Sequence, residues 1–148
     1  MITQLASIFS RDLDRLAAEI TAYKQEQNLW QTVPGISNAA GNLCLHLIGN
    51  LNHFIGAEFG KTGYVRDRPK EFSDTDLPRE LLLADIEKTK AVVQYSLSTI
   101  GDEDLKRMLP FMKGESEVSA EFLLLHLSTH LSYHLGQINY HRRIIDQG

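Results

Sequence analysis

The sequence predicts an all-α four-helix bundle, built as a single domain over residues 1–148. Three observations carry this prediction. Four long stretches repeat apolar residues at intervals of three and four, no stretch alternates apolar and polar residues convincingly enough for a sheet, and no internal repeat is present. At 148 residues, with 43% apolar and 23% charged positions and only ten glycines and four prolines, the chain suits one core rather than two small ones.

The first helix is expected from Ile2 to about Glu26, because Ile2, Leu5, Phe9, Leu13, Leu16 and Ile20 fall on one helical stripe. VPGISN breaks it, and Ser37 or Asn38 is expected to cap a second helix running from about Asn38 to Phe59. The next stretch, GKTGYVRDRPKEFSDTDLP, has two glycines, two prolines and scattered charges without a period, so it reads as a long loop after the second helix. A third helix follows Asp76, with Pro78 in its first turn and Leu82, Ile86, Val93, Leu97 and Ile100 as its buried line. GDEDLKRMLPFMKGESEV forms a second long break, with Pro110 and Gly114 fixing turns around a few residues able to pair briefly as extended strand. The last helix is expected from Ser116 or Ser119 to about Ile145.

Composition narrows the partners. A net charge of −4 without a block of lysine or arginine argues against nucleic acid, since nothing can neutralise a run of phosphates. The apolar runs are too short to cross a bilayer, and charges near the start occupy the place of a signal peptide's apolar centre, so a cytoplasmic location is expected. Cys44 is the single cysteine, which excludes an intrachain disulfide and a cysteine-based zinc site; it reads as a small core residue.

Four of the six histidines lie in HLSTHLSYHLGQINYH. At about 100° per residue, His126, His130, His134 and His141 fall within about 80° of one another, bordering the sector of Leu124, Leu127, Leu131, Leu135 and Ile138. Residues four apart project side by side, so His130 and His134 can offer two ring nitrogens to one ion. The third donor is expected from the second helix. His46 stands among Leu43, Leu47, Ile48 and Leu51, where an imidazole needs a partner, and is preferred to His53, which lies about 10 Å further along the helix. Cys44 points roughly 160° from His46, so the site would be all nitrogen. Three histidines leave a tetrahedral ion one open position. Glu58 reads either as a fourth ligand or as a terminal carboxylate. His141 reads as a solvated residue beside Arg142 and Arg143, and Tyr133 and Tyr140 as packing residues.

NLCLHLIGNLNHFI followed far downstream by HLSTHLSYHLGQI resembles the DinB/YfiT-like family over nearly the whole chain. The matching elements are His46 in the second helix and His130, His134, Gly136 and Gln137 in the last; VRDRPKEF is similar to the loop that one branch carries after its second helix. The resemblance implies a four-helix bundle whose three histidines hold a divalent metal, nickel or zinc, and a homodimer. It further implies a small-molecule substrate and a transferase or isomerase that uses a low-molecular-weight thiol such as bacillithiol or mycothiol. Two alternatives stand beside this: a metal-binding dimeric bundle without turnover, and a hydrolase in which the metal generates hydroxide, with His126 as the candidate catalytic base. In the thiol reading the loop from Gly60 to Leu77 is expected to line the substrate entrance. Paired Glu-x-x-His motifs, a His-Glu-x-x-His run and a Gly-x-Ser-x-Gly elbow are all absent from the sequence.

Overall fold

A computed structural model describes residues 1–111 and 116–148. Gly114, expected to fix a turn, lies outside the described residues. The fold is all-α with one minor sheet: α1 (Ile2–Ala22), α2 (Ala40–Leu51), α3 (Arg68–Ser73), α4 (Arg79–Ser98) and α5 (Ala120–Ile145), with strands β1 (Met108–Pro110) and β2 (Glu117–Ser119). The strands pair antiparallel, Leu109 opposite Val118, in the break where a brief extended pairing was expected.

The apolar stripes of the long helices form the core. Leu5, Phe9, Leu13, Leu16 and Ile20 of α1, Leu43, Leu47 and Leu51 of α2, Leu82, Ile86, Val93 and Leu97 of α4, and Leu124, Leu127, Leu131 and Ile138 of α5 are all buried. Helices α1 and α2 each pack against both α4 and α5. Among the described residues no helix is long and apolar enough to cross a membrane.

Helix α1 ends four residues before the expected Glu26, for a tertiary reason. Tyr23 leaves the helical region with ψ of 124°, and the Asp146 carboxylate accepts from the Gln25 amide at 3.1 Å and the Asn28 side chain at 2.9 Å. The Arg79 guanidinium donates to the carbonyls of Thr21 and Tyr23, at 3.2 and 2.8 Å, satisfying acceptors that the helix end leaves open.

The start of α2 departs from expectation too. Ala39 takes the cap position, and neither Ser37 nor Asn38 supplies a side-chain cap bond. The helix then widens into one π turn over Asn52–Ala57 instead of running regularly to Phe59. Within the stretch read as a loop, six residues form α3. Asp67 accepts from the Lys70 amide and Pro69 sits in the first turn, so local capping suffices to nucleate a helix too short to show a period. Asn42 of α2 donates to the carbonyls of Glu71 and Asp74 at 3.1 and 2.8 Å, fastening α3 across α2. For α5, Ser119 is the cap, its hydroxyl accepting from the Phe122 amide.

Candidate metal centre

His46 projects from the middle of α2 into the interface with α5 and is only 7% exposed. The same interface receives His130 and His134, one helical turn apart on α5. One ring nitrogen from each residue lies within 4.8 Å of the other two, and the His46 and His130 Nε2 atoms are 3.1 Å apart. The rings meet edge to face, at 75° for His46 and His130 and 89° for His130 and His134. Three imidazoles arranged in this way bring one nitrogen each to a shared point.

For two of the rings the outward nitrogens indicate which atom faces that point, whereas His130 Nδ1 is buried without a hydrogen-bond partner among the described residues. His134 Nδ1 is 2.7 Å from Gln137 Oε1, an acceptor, so the proton sits on Nδ1 and leaves Nε2 free. His46 Nδ1 lies 3.0 Å from Glu71 Oε1 and 3.2 Å from Arg66 Nη2. It cannot donate to one and accept from the other at once. Arg66 directs Nε and Nη2 at the two Glu71 oxygens, at 2.8 and 2.9 Å, and Glu71 is the nearer of the two partners of His46 Nδ1. We therefore place the proton on Nδ1, donated to Glu71, with the lone pair on Nε2. A carboxylate behind a histidine in this way fixes the tautomer and raises its basicity as a ligand.

Gly49, one turn beyond His46, makes room for the carboxylate. A Cβ at this position would overlap Glu71 Oε2 and stand 2.6 Å from the Glu71 carboxyl carbon. Phe72 covers the His46 ring, 5.0 Å between centroids.

Burial, followed by the neighbouring His134 and His46, pushes His130 down to about 3. Burial also lowers His46, with Glu71 partly opposing it. Both rings are thus neutral at neutral pH, the form that binds metal without first losing a proton. Geometry gives an independent test of fit. Zinc–nitrogen bonds of about 2.0–2.1 Å at tetrahedral angles separate two donors by about 3.3 Å, close to the 3.1 Å between His46 and His130. The set is able to hold a divalent metal.

The other expected candidates fall elsewhere. His53 is exposed and packs edge-on against Phe54. Glu58 is drawn to Arg107, 3.0 Å away. Cys44 is fully buried and its thiol is pushed up by that burial. His126 lies against Phe111 and Phe122, with its ring centroid 6.3 Å from that of His130.

His141 corrects the expectation of a solvated residue. It is 6% exposed, its Nδ1 accepting from the Tyr23 hydroxyl at 2.6 Å and its Nε2 donating to the Gln31 carbonyl at 2.7 Å. The segment after α1 folds over the end of α5 and covers it. Arg142 is occupied by Glu19 at 2.7 Å, and Arg143 lies over the Tyr140 ring. Tyr133 and Tyr140, expected to pack, are 65% and 63% exposed.

The loop after α2 also has a different task from the expected one. Through Arg66, Glu71 and Phe72 it backs His46, and it contributes no residue to a cavity of about 440 Å³ walled by Val33, residues 35–38, Leu43 and the second half of α5, His134 included. Glu71, Arg66 and Gly49 were missed in the sequence. Their one signal was a glycine in the middle of an apolar helix, a position that costs about 1 kcal/mol unless something needs the space.

An all-α fold with three convergent imidazoles from two helices defines the class: a helical histidine-triad protein able to hold a divalent ion. The sequence profile of the DinB superfamily matches residues 8–138, and the chain belongs to that superfamily. No curated protein matches the chain.

Proposed function

We propose that the protein is a divalent-metal-dependent enzyme of the four-helix-bundle type, in which His46, His130 and His134 hold nickel or zinc. The convergence of three imidazole nitrogens within 4.8 Å, from two separate helices, carries this reading. A bound ion would supply Lewis acidity and would favour the thiolate form of a low-molecular-weight thiol. The chain's own parts are arranged around such a role. Glu71 and Arg66 hold His46 in one tautomer, Gln137 does the same for His134, and Phe72 keeps water from one side of the His46 ring.

A thiol transferase or isomerase acting on a small molecule is the reaction class we propose, in keeping with three protein donors that leave a fourth position for a ligand. Because the buried thiol of Cys44 is held in its protonated form, the thiol comes from a diffusible molecule. We further propose a cytoplasmic homodimer. A second copy laid along α5 would cover Phe122, Leu125 and Tyr133, which are 50%, 41% and 65% exposed.

Elemental analysis of untagged protein tests the site. The native chain is expected to carry stoichiometric metal, and His46→Ala, His130→Ala and His134→Ala to lose it. Retention of full metal by all three variants would reject the assignment. For the reaction, conversion of an electrophile with bacillithiol or mycothiol is expected to stop when a chelator removes the metal. Metal-independent conversion would remove the proposed role.

A further inference from the structure

The 440 Å³ cavity beside His134 has a chemistry of its own. Its volume lies within the roughly 300–1,000 Å³ of ordinary small-molecule sites. Val33, Ile36, Leu43, Ile144 and Ile145 supply the aliphatic part of its wall and Tyr133 and Tyr140 add aromatic rings, and among the described residues its lining holds no Asp, Glu, Lys or Arg. Of the two arginines closest in sequence, Arg142 is engaged with Glu19, and Arg143 lies over the ring of Tyr140, a residue of the lining, without being part of the lining itself.

The polar side chains of the lining are hydroxyls, amides and imidazoles, from Ser37, Asn38, Tyr133, Tyr140, Gln137, His134 and His141. His141 has both ring nitrogens committed, to Tyr23 and to Gln31, and burial lowers its proton affinity. It presents ring carbon rather than a charge. Gln137 spends its carbonyl oxygen on His134, so its amide hydrogens are what remain for a ligand. Away from the His134 end, where a metal would sit, a carboxylate or ammonium that gave up water for this space would meet no oppositely charged side chain in the lining.

We propose that this cavity binds the substrate that accepts the thiol, and that this substrate is a neutral, predominantly apolar molecule with an aromatic or branched hydrocarbon body. Its reacting end lies toward His134, and its body between the 33–38 segment and α5. The role as co-substrate rests on the metal-thiol reading above; the ligand class rests on the cavity alone. Bacillithiol and similar polar thiols carry charged groups, which meet no oppositely charged side chain in this lining.

Nuclear magnetic resonance titration of isotope-labelled full-length protein tests this with three matched probes: neutral 2-naphthylmethanol, anionic 2-naphthoate and cationic 2-naphthylmethylammonium. The neutral probe is expected to bind saturably, shifting residues 33–38 and the α5 amides beyond Tyr133, at least tenfold more tightly than either ion. Ile36→Glu and Ile144→Glu, at positions 43% and 57% exposed and so safe for folding, should each weaken it at least fivefold. Equal binding of the charged probes, or shifts centred elsewhere, would overturn the proposal. So would a loss of affinity in the variants that tracks a change in sedimentation, because the face would then be a contact between copies. The titration is run on both zinc-loaded and chelator-treated protein. Probe binding without metal binding keeps the ligand class and removes the metal reading together with the co-substrate role; metal binding without probe binding overturns the ligand class and leaves the metal reading.

Discussion

Removing the Glu71 carboxylate should switch His46 from a metal ligand to a poor one. In Glu71→Ala the guanidinium of Arg66, 3.2 Å from His46 Nδ1, becomes the nearest polar partner of that nitrogen. Arginine can only donate, so Nδ1 must accept and the ring proton moves to Nε2, the atom 3.1 Å from His130 Nε2. The lone pair that would reach the ion is then covered by hydrogen. Loss of such a carboxylate partner typically weakens metal binding about 10- to 100-fold, or about 1.4–2.8 kcal/mol. The upper end is expected here, because Glu71 is 7% exposed and water cannot readily replace it. Glu71→Gln keeps an acceptor oxygen and should fall at the lower end. Competition for Zn²⁺ against a chromophoric chelator measures the effect, with far-ultraviolet circular dichroism confirming the fold. A folded Glu71→Ala protein with zinc affinity within twofold of the native chain would refute the tautomer argument.

Gly49→Ala, which ordinarily gains about 1 kcal/mol in a helix interior, should instead lower the melting temperature and the metal affinity together, since its methyl overlaps Glu71; a raised melting temperature would contradict this. Tyr23→Phe removes the hydroxyl donor to His141 and should cost about 1 kcal/mol in urea denaturation, with metal content unchanged. In metal-free protein His46, His130 and His141 all have folded proton affinities below their unfolded ones. The unfolded chain therefore binds more protons in acid, so stability is fully present above about pH 6.5 and is lost as pH falls below it. For His130, with a folded value of about 3, the loss between pH 7 and pH 5 is about 2 kcal/mol. Urea midpoints at the two pH values should show this fall, and His130→Ala should reduce it; an unchanged midpoint would refute it.

What could be read in the sequence was whatever repeats along a helix. The α1 stripe from Leu5 to Ile20 is buried as its spacing predicts. The four-residue step from His130 to His134 and the apolar setting of His46 led to the three nitrogens that converge. What escaped depends on contacts between distant parts of the chain. Glu71 sits in an aperiodic stretch, and only the space over Gly49 makes it a partner of His46. His141 looked solvated because Arg142 and Arg143 follow it, yet its covering residues, Tyr23 and Gln31, lie more than a hundred positions earlier. The early end of α1 has the same origin, since Asp146 reaches it from the far end of the sequence.

His46 and His130 are separated by 84 residues. Helix α5 must be in place on α2 before the two rings can meet, so neither helix by itself offers an ion all three donors. An ion held by all three would therefore join two distant stretches of the chain, and its grip would depend on their staying packed together.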